Sequence, residues 1–154
     1  MTFIIREVGK EDKDQITELA KQMVESLNEP FLSTLWLGLL QLFFSDLEKD
    51  ERDREINIFC AEDTADKDRI VGMLVAKVDT DKKKRKYGKT AFWYVHPSFR
   101  GKQLGFDLTK KAHEFFKNSG AEYTDLNIRA HETSKKIVEG LGFQKLFTRY
   151  RKFF

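Results

Sequence analysis

The stretch VHPSFRGKQLGFDLTKK, Val95 to Lys111, places two glycines and two cations between an aromatic run and an amphipathic pattern. From its middle onward, apolar residues recur at helical intervals and predict a helix over 104–117: Leu104, Leu108, Ala112, Phe115 and Phe116. Asn118-Ser119-Gly120 is typical of a helix end. The stretch therefore predicts a strand, a tight turn and a helix that begins near Gln103.

The turn before this helix has the chemistry of an anion site. A helix start offers free N–H groups and the positive end of its dipole, which favour phosphates above all. Gly101 and Gly105 lack a Cβ, so the backbone is able to turn sharply and a phosphate to approach closely. Arg100 and Lys102 add positive charge. Dinucleotide and P-loop sites fit poorly, since no Gly-x-Gly-x-x-Gly occurs and Gln103 follows Gly101-Lys102.

On either side of this stretch, hydrophobic periodicity predicts the remaining elements. Before it we expect a strand at 3–5, helices at 11–27 and 31–44, a hairpin of strands 56–61 and 70–78, and a third antiparallel strand at 90–95. After it we expect a strand at 126–130, a short helix capped by Thr133 or Ser134 and ended by Gly142, and a closing strand at 143–153. The order β-α-α-β-β-β-α-β-α-β indicates an α+β fold, and 154 residues indicate a single domain over 1–154.

Composition excludes several classes of protein. A single cysteine, Cys60, excludes an internal disulfide framework and a cysteine-based zinc site, and its apolar neighbours predict a buried structural thiol. We expect no metal. With no secretory signal recognised at Met1, a cytoplasmic protein is expected. A formal charge of +3 argues only weakly for a polyanionic partner, and the basic run 82–86 is explained more simply by a solvated hairpin loop than by nucleic-acid binding.

The apolar stretch 31–44 is too short to span a bilayer, so a membrane partner is not expected. One stripe follows helical spacing, while three further apolar groups lie off it. The stripe consists of Leu32, Leu35, Trp36, Leu39, Leu40 and Phe43, and the groups off it are Leu37, Leu42 and Phe44. Either the helix is deeply buried, or its second apolar side lines a substrate pocket or a subunit contact. The latter is compatible with a homodimer.

Two motifs resemble those of the Gcn5-related N-acetyltransferases. The stretch from Val95 to Gly105 is similar to the family's pyrophosphate motif, (Gln or Arg)-x-x-Gly-x-(Gly or Ala) after a Val-x-Pro turn, and departs from it at Gln103. The stretch 131–143 is similar to the family's C-terminal signature, Asn-x-x-Ala-x-x-x-Tyr-x-x-x-Gly-Phe. Leu141-Gly142-Phe143 matches it, and His131, Ser134 and Val138 depart from it.

This resemblance implies an acyl-CoA-binding fold in which two parallel strands, ending near Val95 and Ala130, splay apart to admit the pantetheine arm. Backbone groups of Tyr94 and Val95 would pair with that arm or with the thioester carbonyl. The implied pyrophosphate site is formed by Arg100, Gly101, Lys102, Gln103, Leu104 and Gly105. His131 and Ser134 would lie beside the cofactor, and Lys135 or Lys136 would either meet CoA phosphates or lie on a solvated face. We expect right-handed helical angles at Gln103, because the needed group is a backbone N–H.

The implied reaction is attack of a primary amine on the thioester of acetyl-CoA, the acceptor being a small molecule, a polyamine or a peptide. Valine at 138 cannot donate a proton as the family's Tyr does, and residues 90–93 carry no carboxylate. His131 is then a candidate base, with hydrogen bonding to the cofactor as its other use. Tyr94, Tyr123, Tyr150 and Glu132 are further possible proton carriers. The missing groups leave open a non-catalytic acyl-CoA-binding or regulatory module of the same fold.

Overall fold

The computed structural model describes residues 2–27, 31–50, 53–127, 136 and 138–154. Its elements, in chain order, are β1 (Phe3–Glu7), α1 (Lys13–Leu27), α2 (Phe31–Asp46), β2 (Ile56–Asp63), β3 (Arg69–Thr80), β4 (Lys86–Val95), α3 (Leu104–Asn118) and β5 (Tyr123–Leu126). One 3-10 turn, Lys10–Asp12, precedes α1, and another, Pro97–Phe99, follows β4. The predicted strands and helices up to 118 are thereby confirmed within a few residues at each end.

The five strands form one sheet in the order β1-β2-β3-β4-β5. All neighbours pair antiparallel except β4 and β5, which are parallel. The predicted meander of three strands is confirmed, although β3 and β4 are longer than expected and the turn between them is confined to 81–85. The α+β class therefore holds, with one parallel pair at the edge that carries the turn before α3.

The two faces of the sheet bury separate clusters, because alternate strand residues point to opposite sides. One face packs against α1 and α2 through side chains such as Ile16, Phe43 and Ile58. The other packs against α3, whose predicted apolar face, Leu104, Leu108, Ala112, Phe115 and Phe116, is entirely buried. Gly88 of β4 permits this close packing, since an added Cβ would clash with the ring carbons of Phe116. This contact packs the last turns of α3 closely against the first residues of β4.

A charged network fixes β1 to the start of α1. Arg6 donates two hydrogen bonds to the Asp12 carboxylate, at 2.7 and 2.9 Å, and one to Glu62 at 2.5 Å. Its guanidinium holds the pKa of Asp12 below the ordinary value, against the opposing effect of burial. Because Asp12 also accepts from the Gly9 amide, the carboxylate anchors the turn that feeds α1.

The predicted closing strand at 143–153 is wrong. The structure describes residues 143–154 without regular secondary structure, and their large side chains are among the most exposed of the described chain: Leu146, Phe147, Tyr150, Phe153 and Phe154. A strand needs the backbone ladder of a neighbour. In this segment, exposed aromatic side chains alternate with solvated cations. The alternation alone does not specify a neighbouring strand with which the segment could pair.

The predicted strand at 126–130 is described only as β5, which starts earlier, at Tyr123, and ends at Leu126. Residues 128–130 lie outside the described part. Of the predicted short helix, Lys136 and residues 138–140 are helical, and Gly142 ends it at φ +83° as expected. No helix in the described part of the chain combines the length and apolarity that a membrane span requires.

Candidate active site

Within the described residues, one edge of β4 is paired over only part of its length. Pairing of β4 with β5 stops at Thr90 and Leu126, and Ala91 is an extra residue in the ladder with β3. Such a bulge turns a strand away from its neighbour. Within the described residues, the last part of β4 therefore has a partner on one side only, and we call its other side the opening. Whether the two strands splay apart as the resemblance implies stays a prediction, since Ala130 lies outside the described part.

Strand alternation identifies the backbone groups at this opening. The His96 amide donates to the Val71 carbonyl of β3 at 2.8 Å. Groups two residues apart point the same way, so the backbone of Tyr94 also faces β3. Trp93 and Val95 then face the open side. This register fits the expectation for the Val95 backbone. It turns the Tyr94 backbone toward β3, and the Trp93 backbone, which the sequence did not assign to the cofactor, faces the open side instead.

The turn after β4 reaches the helix through two left-handed residues, Gly101 at φ +81° and Gln103 at φ +64°. The prediction of right-handed angles at Gln103 is wrong. Leu104 is 3% exposed and packs with Ala61 and Val71 under the sheet. This packing fixes where the helix starts, and it overrides the local preference of Gln, at a cost of about 1 kcal/mol.

The first turn of α3 offers free donors. The Asp107 amide is the first to bond within the helix, to the Gln103 carbonyl at 3.0 Å. The Gln103 side chain makes no capping hydrogen bond. The amides of Leu104, Gly105 and Phe106 consequently have no acceptor within the helix, and together with the helix dipole they suit an anion.

The cations of the turn differ in their surroundings. Arg100 donates from Nε to the Val95 carbonyl at 2.9 Å, and its guanidinium lies over the Tyr94 ring, 5.6 Å from the centroid. These two contacts of Arg100 hold the turn against the end of β4. Lys102 is exposed. His96 stabilises the start of this turn, because its Nδ1 accepts from the Ser98 amide at 3.2 Å.

Gly105 has a packing role that the sequence did not predict. A Cβ at this position would lie 3.0 Å from Cζ2 and 3.3 Å from Nε1 of Trp93. The glycine therefore makes room for the indole ring, whereas Gly101 has nothing within 4 Å of its Cβ position and supplies the turn. The Trp93 Nε1 atom is buried without a hydrogen-bond partner in the described part of the chain.

The face of β4 toward α1 and α2 is aromatic. Phe92 meets Trp36 edge to face, with 5.4 Å between ring centroids, and Tyr94 is buried in the same cluster. Trp36 is 4% exposed, and its Nε1 also has no partner among the described residues. The α2 helix confirms the buried stripe, except that Leu35 is 51% exposed. Residues 90–93 contribute no carboxylate here, as the sequence indicated.

Several predicted proton carriers lie elsewhere. The Tyr123 hydroxyl donates to Asp81 in the β3–β4 turn at 2.7 Å, which raises the pKa of Tyr123 to about 12. Tyr150 is 91% exposed in the C-terminal segment. Burial raises the pKa of Cys60 to about 12, which confirms a structural thiol. Of the tyrosines named from the sequence, Tyr94 alone lies at the opening.

The first part of the second motif, residues 131–135, lies outside the described part of the chain, as does residue 137. His131, Glu132, Ser134 and Lys135 all fall there. Lys136 is described, as an exposed helical residue. The sequence did not predict that the N–H groups of Trp36 and Trp93 lack partners among the described residues, because an aromatic residue in a buried pattern carries no such signal.

Comparisons with known proteins agree with this geometry. A family model described as the acetyltransferase (GNAT) family matches residues 20–142. A search of curated proteins found no match. Among solved structures, a ribosomal-protein-alanine N-acetyltransferase from Brucella melitensis biovar Abortus 2308 has a TM-score of 0.70 at 18% identity, with 100% of both chains covered.

Two further structures extend the range of functions on this fold. An aminoglycoside N-acetyltransferase in complex with CoA has a TM-score of 0.67 at 20% identity, covering 97% of this chain and 100% of its own. A transcriptional regulator from Bacillus halodurans C-125 has a TM-score of 0.71 at 20% identity, with 99% of both chains covered. At these identities the likeness shows the fold alone.

Proposed function

Because this chain belongs to the acetyltransferase (GNAT) family, we propose that it transfers an acetyl group from acetyl-CoA to a primary amine. The observation that carries the proposal is the juxtaposition at the end of β4. There, within the described residues, a strand edge without a partner is followed, after the turn 96–103, by a helix start whose first amides make no bond within the helix. The two features suit the two ends of one ligand, an amide-bearing arm and a pyrophosphate.

In this proposal the α3 start binds the cosubstrate. The amides of Leu104, Gly105 and Phe106 donate to the pyrophosphate, and Lys102 adds a mobile charge. Arg100 keeps the turn attached to β4 through Val95. The residues present fit the group, since they offer donors and cations, with the one acid of the first helical turn, Asp107, at its inner end.

The backbone of β4 supports the chemistry. N–H groups of Trp93 and Val95 face the opening, where one of them donates to the thioester carbonyl as negative charge develops on its oxygen. The amine nitrogen forms the new bond to the carbonyl carbon, the carbon–sulfur bond breaks, and CoA leaves as thiolate. Backbone donors serve this step without any special side chain.

Two side chains are candidates for proton transfer in this reaction, Tyr94 and His131. An alkyl ammonium must lose a proton before it attacks, at a cost of about 4 kcal/mol at neutral pH. Tyr94 lies at the opening, and His131 remains a candidate from the sequence. A water chain to either group would serve the same purpose. The thiolate needs a donor less, because thiols are much more acidic than ammonium groups.

A second candidate function is a non-catalytic acyl-CoA-binding or regulatory module. The specific observation in its favour is that residues 90–93 of β4 contain no carboxylate. Ala91 and Phe92 lie on the face toward α1 and α2, where they offer no base for an amine. Such a protein would bind CoA through the same turn and release no thiol.

One pair of measurements separates these functions. Isothermal titration with CoA and acetyl-CoA measures binding, and a free-thiol assay with polyamines, amino acids, aminoglycosides and peptide N-termini measures turnover. Binding with thiol release supports the transferase, and binding without release across the panel supports the module. A dissociation constant above 1 mM for both ligands would refute both functions, since it corresponds to a binding free energy weaker than about −4 kcal/mol.

A matched pair of variants locates the binding site. Lys102→Gln removes the charge beside the α3 start and should weaken CoA binding about three- to tenfold. Lys82→Gln removes the same charge from the exposed β3–β4 turn and should leave the affinity unchanged. Equal effects would indicate a general electrostatic attraction instead of a site at the turn.

The finer attributes stay predictions. The acceptor is a small molecule, a polyamine or a peptide, the location is cytoplasmic, and a homodimer is compatible with the apolar α2 helix. The thiol-release panel is the measurement that selects among the acceptors.

A further inference from the structure

Arg100 presents hydrogen-bond donors to solvent at the end of β4. Its side chain is exposed, and it donates from Nε to the Val95 carbonyl at 2.9 Å. Among the described residues, its two terminal nitrogens have no hydrogen-bond partner and no carboxylate forms an ion pair with it. A guanidinium offers a planar fork of N–H groups that matches the oxygens of a carboxylate or a phosphate. Arg100 therefore has donors available for an anion.

Two contacts fix the position of this guanidinium. One is the hydrogen bond to Val95, whose backbone faces the open side of β4. The other is the ring of Tyr94, since the guanidinium carbon lies over it, 5.6 Å from the centroid. A group held in this way loses less conformational freedom on binding an anion than a solvated side chain does. The donors are thus positioned in advance, next to the residues that hold the thioester in the proposed function.

The pyrophosphate of CoA is not the anion that this position suits best. In the proposed function the pyrophosphate binds at the start of α3, and α3 packs on one face of the sheet. Tyr94, which carries the guanidinium, belongs to the cluster on the other face, with α1 and α2. The pantetheine arm itself has amide and hydroxyl groups and no charge. An anion beside Val95 and Tyr94 is then supplied by the acceptor.

We propose that Arg100 binds an anionic group of the acceptor, and that this protein acetylates amines that carry a carboxylate or a phosphate close to the reacting nitrogen. This inference rests on the proposed function and names its substrate class. Simple alkyl amines and unmodified polyamines carry no such group. Because hydrogen bonds between two charged groups are stronger than neutral ones, a preference of about tenfold is expected for the anionic acceptors.

The binding test uses two matched pairs of amines and protein saturated with CoA. β-Alanine and β-alaninamide have the same shape and differ by the charge of the carboxylate, and phosphoethanolamine differs from ethanolamine by its phosphate. Isothermal titration should show about tenfold tighter binding of the anionic member in at least one pair. The pair that shows the preference identifies the anion as carboxylate or phosphate. Equal affinities within both pairs would overturn the inference.

Variants at the turn assign the preference to one side chain. Arg100→Met should remove it, and Arg100→Lys, which keeps the charge without the fork, should retain part of it. Lys102→Met is the matched control, because it removes an exposed cation from the same turn. With CoA saturating, it should leave the preference intact. A merely structural role of Arg100 would weaken both members of a pair equally, so a preference that survives in Arg100→Met would contradict the proposal.

The kinetic test uses the same amines with acetyl-CoA. The preference should appear in kcat/KM, mainly through KM, and Arg100→Met should reduce the ratio within the pair to about one. A ratio that is unchanged in Arg100→Met would contradict the inference. If no amine releases thiol, the transferase proposal fails, while the titrations still decide whether Arg100 binds the anionic group of an amine.

Discussion

The indole ring of Trp93 occupies the space that a side chain at Gly105 would need, with the Cβ position 3.0 Å from Cζ2. This contact joins the open end of β4 to the first turn of α3. Strand and helix are therefore positioned against each other by a glycine and a tryptophan. The anion-binding amides and the free strand edge depend on the same contact.

Gly105→Val should disturb both properties. The branched side chain would overlap the indole, and such overpacking costs about 1–3 kcal/mol. Urea unfolding should show that loss, and isothermal titration should show weaker CoA binding. Gly38→Ala is the matched control, because Gly38 lies in α2 with nothing within 4 Å of its Cβ position, and it should be neutral or stabilising. Unchanged stability of Gly105→Val would show that the indole moves freely.

Gln103→Gly should stabilise the protein by about 0.5–1 kcal/mol. Glycine adopts the φ of +64° without the strain that Gln bears, which exceeds the entropy that glycine adds to the unfolded chain. Gln41→Gly, on the exposed side of α2, should instead cost about 1 kcal/mol. Chemical unfolding measures both. A destabilised Gln103→Gly variant would indicate that the Gln side chain makes a contact of its own.

Sequence periodicity predicted the helices and strands whose position depends on burying one apolar face. Helix α3 and the three-stranded meander follow from apolar spacing alone, and the phosphate-type turn follows from glycines and cations. The angles of Gln103 did not follow, because the packing of Leu104 decides them. The role of Gly105 depends on a ring twelve residues earlier in the chain. Both features depend on contacts between residues of different elements, and such contacts cannot be predicted from local sequence preferences.

The C-terminal segment shows the same limit, and it gives a further prediction. Phe147 is 66% exposed in a segment whose alternation predicted a strand. Phe147→Ser should therefore change the free energy of unfolding by less than about 0.5 kcal/mol. Phe115→Ser, at a fully buried ring in α3, should cost at least about 3 kcal/mol. A large decrease in the free energy of unfolding for Phe147→Ser would indicate that this segment packs as the predicted closing strand.

The stability of the protein should fall as the pH is lowered below about 6.5, in part because of His113. Burial, with a smaller effect of Lys117, lowers the pKa of His113 from its ordinary 6.5. The ring lies between Phe116 and Phe143, with centroid distances of 6.4 and 5.5 Å. The unfolded chain then binds a proton at a higher pH than the folded protein does. The contribution of the neutral ring is complete above pH 6.5 and is lost as the pH falls through the folded pKa.

His113→Leu removes this titration and keeps an apolar side chain between the two rings. Between pH 7.5 and pH 5, the wild-type free energy of unfolding should decrease more than that of His113→Leu, because every other titrating group is common to both proteins. Urea unfolding at the two pH values measures the difference. Parallel losses in both proteins would mean that His113 titrates in the folded state as it does in the unfolded chain. Its packing against Phe116 and Phe143 would then exclude too little water to matter.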